Sequence, residues 1–525
     1  MAQVARRRKS VRRQVDSPSP RSAGELTARV REVGVDRLAF VCVDPAKHRS
    51  RWMLVNFLGD HLIQPTTVEH SAGQLRALVD RVRLMVQQAD LRTVWVIVER
   101  TGQYHLPVKR AFAEAGFETR IVHPFATKQY RLVGDPDIKT DDTDLVALHR
   151  AAIAGFGLVE LPLDENYRAL RLLARHRRDL VEKNASLRCQ IHEHLHLVMP
   201  GYARCFDDLW DSPIALPIAR RTGTPQAVLD IGPVHLAQSL RDDKVRYRDS
   251  TLDRILVWAR EAPTPACDAS LHQRIWTTLD DDRRARSLEI QALERDLAAI
   301  LVRTPHLLLI AIPGINVPSA AELAGEMGPI AHYANPNAIT GRAGVYPSRY
   351  QSDQTDLPNG RLVRCANRRL RTALLRIADN LVVNNRWFKA SADLKRKAGA
   401  DERAIRVRAA KKFTRLAFVV LAARQVLRHP CCQPGDAVLA KLSQFHRVHS
   451  TSAAQLMTDL QAAVEQFPQE AYTHEADALS ALSTKLANNV RRRQGPSPLG
   501  ELLPALLSRL TKTTSRKSSE EQASL

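Results

Sequence analysis

The chain is 525 residues long, 44% hydrophobic and 5% aromatic, with 78 Lys and Arg against 56 Asp and Glu and a formal charge of +22. That length exceeds what one hydrophobic core organises, so two or three domains are expected. An excess of positive charge on this scale points to a polyanionic partner, nucleic acid before any other. The longest strongly apolar runs, such as residues 307–312 (LLLIAI), are core-sized and far short of the ~20 residues that span a bilayer, so a membrane reading lacks support.

Residues 1 to about 34 are rich in Arg, Ser and Pro, beginning with Arg6, Arg7, Arg8, Lys9, Arg12 and Arg13. No apolar segment follows, so this stretch reads as a flexible basic arm and not a secretory signal. Apolar runs at 38–44 (LAFVCVD), 51–58 (RWMLVNFL), 93–99 (TVWVIVE) and 118–124 (ETRIVHP) predict strands, and helical spacing fills 71–90 and 104–116. Two strands followed by alternating helices and strands predict a mixed α/β sheet over 35–160.

From about 165 the period is helical. Leu170, Leu173, Arg177, Leu180, Asn184, Leu187, Ile191, His194 and Val198 step by alternating three and four, the seam of a coiled-coil helix with polar interruptions, ended by Pro200–Gly201. A second seam, Ile290, Leu293, Leu297 and Ile300, either returns antiparallel to the first or pairs with another protomer, giving a helical region over 161–304. Residues 201–280 look helical and carry no legible motif. Residues 307–328 predict a helix, a turn at Pro313–Gly314 and a second helix. A loop at 344–360 and Arg-dense helices to about 429 complete a domain at 305–430, and 431–525 reads as a helical extension with a polar tail.

Seven cysteines (Cys42, Cys189, Cys205, Cys267, Cys365, Cys431, Cys432) without a CxxC pair fit a reduced, cytoplasmic protein. No glycine-rich phosphate loop opens a helix, so nucleotide hydrolysis lacks support. Residues 192–196 (HEHLH) match a zinc-protease signature, but they end the coiled-coil helix and no third ligand is in view. Solvated histidines are the better account.

The carboxylates are more informative. Asp44 closes the first predicted strand and Glu99 the third, while Asp141 and Asp144 sit at i and i+3 of a helix start and share its face. Converging carboxylates repel unless a cation neutralises them; two Mg²⁺ ions roughly 4 Å apart would do so and would position a phosphodiester for displacement. The plainer account is that strand-end acids are solvated and that Asp141 or Asp142 caps a helix, Asp142 being the better cap because it points off the shared face.

Taken in order, VDPAK (43–47), ERTGQYH (99–105), KTDDTD (139–144), the coiled coil, IPGI (312–315), YPSRYQS (346–352) and GRLVRCANRRLRTAL (360–374) resemble one family: the DEDD transposases of bacterial insertion sequences of the one-ten type, the bridge-RNA-guided recombinases. The likeness covers roughly 37–430. It implies an RNase H-like domain, similar to Holliday-junction resolvases, with its Asp-Glu-Asp-Asp tetrad on Asp44, Glu99, Asp141 and Asp144, binding Mg²⁺ (or Mn²⁺). It implies a nucleophilic serine at Ser352 after a helix-hairpin segment, and an oligomer, dimer or tetramer, in which the tetrad of one protomer works with the serine of another. It further implies DNA as substrate and a structured RNA, encoded beside the gene, that pairs with target and donor DNA. The chain departs from the family pattern at Arg100, Leu145, Asp353 and Ala366.

Beside the serine, Arg361, Arg364, Arg368, Arg369, Arg371 and Arg376 crowd one segment, and guanidinium forks suit phosphate oxygens. The turn at Gly314 can offer backbone N–H groups to a phosphate, or simply join two packed helices. Two other functions stay open: a resolvase-like nuclease in which metal-activated water cuts the strand, and a catalytically inactive nucleic-acid-binding protein.

Overall fold

The computed structural model describes residues 23–467 apart from 135, 161–162, 266–267, 353–354, 358–359 and 365. The chain divides into two compact units, the first holding residues up to 162 together with 337–342, the second the remainder.

The first unit contains α1 (Ala23–Val33), β1 (Leu38–Pro45), β2 (Arg49–Asn56), β3 (His61–Glu69), α2 (Ala72–Gln88), β4 (Thr93–Glu99), α3 (Leu106–Glu114), β5 (Glu118–Val122), α4 (Pro124–Gly134), α5 (Asp141–Ile153) and β6 (Leu158–Val159). The strands form one mixed sheet in the order β3-β2-β1-β4-β5-β6, antiparallel across β1, β2 and β3 and parallel from β1 through β4 to β5. β1 and β4 read as unbroken apolar runs because both their faces are covered. Ala39, Val41 and Val43 of β1, with Val94, Val96 and Val98 of β4, pack under α2 and α3. Leu38, Phe40 and Cys42, with Trp95 and Ile97, face Leu145, Leu148 and Ala152 of α5.

Two elements differ from the sequence reading. β3 is a strand that hydropathy passes over, because Pro65 and three hydroxyl or amide residues interrupt it; an edge position tolerates both. Residues 23–33, placed in the basic arm, form a helix. Leu26 is buried against the sheet, and Val30 and Val33 pack beside it. Arg120 on β5, 1% exposed, lies 3.6 Å over the Trp95 ring and donates to Glu25 of α1 at 2.6 Å, which ties that helix down. Residues 1–22 lie outside the described residues.

The second unit is helical. It holds α6 (Glu165–Val198), α7 (Ala215–Thr222), α8 (Pro225–Asp242), α9 (Asp249–Glu261), α10 (Ala269–Leu301) and α11 (Val317–Met327). After the short α12 (Pro336–Ala343), whose residues 337–342 belong to the first unit, come β7 (Tyr350–Ser352), β8 (Thr355–Leu357), α13 (Arg368–Asn384), α14 (Arg386–Lys397), α15 (Glu402–Ala423), α16 (Asp436–Val448) and α17 (Ala453–Val464). The two long seams pair within the chain. Contacts from His176 to Glu289, Asn184 to Ser287 and His194 to His272 run in opposite senses, so α6 and α10 are antiparallel. α11 lies against α6 so closely that a Cβ on Gly325 would stand 2.6 Å from the Arg171 nitrogen. Arg175 clasps Glu326 there through two hydrogen bonds of 2.6 and 2.9 Å.

The helix expected from 307 to the Pro313 turn is a 3₁₀ helix over Pro305–Ala311, buried from His306 onward. The start of the extension beyond 430 packs back onto it, the Gln433 N–H donating to the Ala311 carbonyl at 2.9 Å and Lys441 Nζ to that of Ile310 at 2.7 Å, while the polar tail from 468 on lies outside the described residues. The described residues from 163 on, apart from 337–342, cluster as one compact unit. Among the described residues no helix is long and apolar enough to cross a membrane.

Candidate active site

β1 and β4 are parallel with Val43 opposite Val98, so Asp44, the penultimate residue of β1, and Glu99, the last of β4, follow next along the two strands. Strand alternation puts them on the same face as Phe40 and Ile97, the face that α5 covers. α5 starts beside them. Its N-terminus is closed by a reciprocal capping box between Thr140 and Thr143, so the cap is Thr140, and neither Asp141 nor Asp142 takes that role. Asp142 instead receives two hydrogen bonds from Arg51, 2.7 and 3.2 Å, and Arg51 is the residue of β2 that pairs with Asp44.

Asp44 registers the crowding. Burial pushes its carboxyl up to about 7, and Glu99, Asp144 and Asp141 add to the rise, with Lys139 opposing them. The four predicted carboxylates thus act on one centre. Asp144 and Glu99 already have partners: Arg131 Nε lies 2.8 Å from Asp144 Oδ1, both side chains largely buried, and Thr101 Oγ1 donates to Glu99 at 3.3 Å. Asp141 is exposed.

The chemistry of this set fits a hard divalent cation, since all four predicted side chains are carboxylates, and burial together with the neighbouring negative charge raises Asp44. Among the described residues no three His, Cys, Asp or Glu side chains already converge as a ligand group.

Ser352 ends β7 and is exposed, opposite Thr355 in the small hairpin with β8. The hairpin is held by a double ion pair from Arg349 to Asp356, 2.9 and 2.6 Å, and its base by the Ser348 N–H on the Arg361 carbonyl at 2.8 Å. Asp353 lies outside the described residues. Arg361, Arg364, Arg368 and Arg369 are exposed, and none of them pairs with a carboxylate among the described residues.

Arg371 is different. It donates to the backbone carbonyls of Ala343, at 2.9 Å, and Val363, and burial lowers its pKa. Its guanidinium ties the hairpin's flanks to α13, work that a phosphate contact would interrupt. Gly314 also has a packing reason: at φ +97 its backbone sits against α13, where a Cβ would stand 3.0 Å from the Asn380 carbonyl oxygen. Arg376 faces Glu182 of α6 at 3.7 Å.

Residues 41–200 match a DEDD transposase family model of the IS110 type, and residues 306–393 match the model described as the transposase IS116/IS110/IS902 family. The chain belongs to the IS110-type DEDD transposase family. A search among curated proteins gives no match. Membership implies DNA transposase activity, and the DEDD family suggests dependence on a divalent metal.

For this transposase, sequence reasoning missed Arg131 and Arg51, the two guanidiniums that hold carboxylates at the site. Arg51 lies far in sequence from Asp142, Arg131 sits on the helix before the one that carries Asp144, and the pattern of either segment reports only strand or helix. Of the departures, Arg100 reaches Glu160 at 3.8 Å, a carboxylate it shares with Lys109, and Leu145 fills the core under α5. In the HEHLH segment, His192 and His196 stack on the exposed side of α6, while His194 contacts His272 at 2.9 Å.

Proposed function

We propose that this transposase cuts and rejoins DNA through Ser352, with two Mg²⁺ ions (Mn²⁺ able to replace them) held by Asp44, Glu99, Asp141 and Asp144. The observation that carries this reading is the electrostatic convergence of three acidic side chains on Asp44 at the ends of two parallel strands. Three antiparallel strands followed by two parallel ones, with α5 across one face, support an RNase H-like reading of the sheet.

Bound there, the cations would stabilise charge on the scissile phosphate. The protein's own residues do the rest. Asp44 and Glu99 stand on buried strands and hold their positions; Asp144 must be shared with, or released by, Arg131. Ser352 Oγ attacks phosphorus, forming an O–P bond as the bond to a deoxyribose oxygen breaks. The hydroxyl proton passes to solvent and the leaving oxygen takes up one. The phosphoserine link conserves bond energy, so the reverse step can join a new strand. Arg361, Arg364, Arg368 and Arg369 supply forks for phosphates of DNA or of a structured guide RNA. The tetrad of one protomer works with Ser352 of another in a dimer or tetramer.

The test is a covalent-adduct assay. The full chain, with RNA from the noncoding stretch beside its gene, is given junction DNA and Mg²⁺ and run on a denaturing gel. An adduct that disappears in Ser352→Ala and in Asp141→Ala is expected. Cut DNA without an adduct would overturn the serine in favour of water, and tight binding with neither would leave a nucleic-acid-binding protein.

A further inference from the structure

A group of reactive side chains in the second unit lies outside the transposition chemistry. Between α15 and α16 the chain passes through His429, Cys431 and Cys432. The Cys431 N–H donates to His429 Nδ1 at 3.1 Å, which fixes that nitrogen as an acceptor, and Cys431 Sγ lies 2.9 Å from the same atom. The Cys431 thiol proton is therefore shared toward the imidazole. Cys432 Sγ stands 3.7 Å from Cys431 Sγ.

A cation supports the cluster: Lys412 Nζ sits 4.0 Å over the Trp387 ring, and Trp387 packs edge-on against His429 at 4.8 Å. Cys431 is 2% exposed whereas Cys432 is half-buried, so one sulfur is open to attack and the other waits behind it.

The same segment is a strap. Asn385, between α13 and α14, donates from Nδ2 to the Cys431 carbonyl at 2.9 Å and to the Pro313 carbonyl at 3.3 Å. Its Oδ1 accepts from the Trp387 and Phe388 amides and so caps α14. Any change in the Cys431–Cys432 backbone reaches the α14 cap and the Pro313–Gly314 turn through this one side chain.

We propose that Cys431 and Cys432 form a thiol–disulfide exchange site that takes small-molecule disulfides and, when closed, loosens the strap on Asn385. In the first step the Cys432 thiolate attacks one sulfur of a disulfide RSSR, giving a mixed disulfide and releasing RS⁻. In the second, Cys431 passes its proton to His429 Nδ1 and attacks Cys432 Sγ, expelling the other RS⁻. Overall RSSR is reduced to two RSH while the two cysteines are oxidised to a disulfide, and the protons of both protein thiols end on the released thiols. Closure brings the sulfurs from 3.7 Å to a bond of about 2.05 Å, which the connecting backbone must absorb.

The test uses the full chain and oxidised glutathione. Trypsin releases residues 429–441, a peptide that holds both cysteines and no other, so its mass reports the pair directly. The expected product is this peptide lighter by two hydrogens, with Cys189, which is exposed, acquiring glutathione as the internal control. Cys431→Ser should stop at a glutathione adduct on Cys432, and Cys432→Ser should leave Cys431 unmodified; circular dichroism confirms that each variant folds. In the oxidised wild type, amide exchange at Trp387 and Phe388 should quicken at least tenfold. A pair that stays reduced while Cys189 is fully modified, or that accumulates the mixed disulfide without closing, would overturn the site. Closure with unchanged exchange at the α14 cap would overturn its coupling to the strap.

Discussion

In the first unit, Asp44 and Glu99 lie at the ends of strands whose neighbouring side chains are almost all buried, and the core that positions Asp44 also desolvates it. In the second, Ser352 ends a three-residue strand exposed along its length, held by backbone pairing and the Arg349–Asp356 ion pair. The carboxylates are placed before any ligand arrives, at an electrostatic cost visible in Asp44. The serine and its exposed arginines carry little strain, and their geometry is open to being set by bound nucleic acid. Stability and activity should therefore be opposed at the first site and independent at the second.

Removing a carboxylate should move activity and stability together, and in opposite directions. Asp44→Asn should lower adduct yield on the order of 10³-fold, the worth of several kcal/mol of charge stabilisation. In chelator, the same substitution should raise stability by about 1–2 kcal/mol in denaturant titration, since burial and repulsion no longer act on a charge. A pH series sharpens this. The Asp44 carboxyl binds its proton more tightly in the folded chain, at about 7, than its ordinary value of 3.8 allows once unfolded. Folding thus takes up a proton between those values, and the chelated wild type should lose stability as pH rises from 4 to 7 while Asp44→Asn loses less.

Ser352→Ala should abolish the adduct yet move stability by no more than ~0.5 kcal/mol, because the side chain is exposed. A large loss of stability there would break the contrast between the two sites. Next in size, Gly314→Ala and Arg371→Ala should each destabilise by about 2 kcal/mol, the first by backbone strain at φ +97 and the second by orphaning carbonyls. Smallest, Arg368→Ala and Arg369→Ala should leave the melting temperature unchanged and each flatten the salt dependence of DNA binding by about one unit of slope. An Arg371→Ala variant that behaved like these two would assign that guanidinium to phosphate after all.

The four central strands and the carboxylates at their ends were legible because apolar runs and strand-end acids are local patterns. β3 was not, since Pro65 and its polar neighbours obey the rules of an edge, and edges are assigned only once the sheet order is known. The helix at 23–33 was hidden by the Arg-rich stretch before it; only the burial of Leu26 and the ion pair from Glu25 to Arg120, across a span of sequence, reveal it. The same holds for Arg131 and Arg51, whose importance rests on contacts with Asp144 and Asp142 that no spacing announces. Arg371 and Gly314 show the reverse: their residue types fit phosphate recognition, while their surroundings supply a packing reason that composition cannot show.

The central claim is that the four carboxylates hold a divalent cation. It is tested most directly by titrating the full chain with Mn²⁺ and following free ion by electron paramagnetic resonance, with wild type, Asp44→Asn and Glu99→Gln compared at one pH. Saturable binding that weakens at least tenfold in both variants is the predicted result. Binding of equal strength in all three would contradict it and place the cation, and with it the chemistry, elsewhere in the chain.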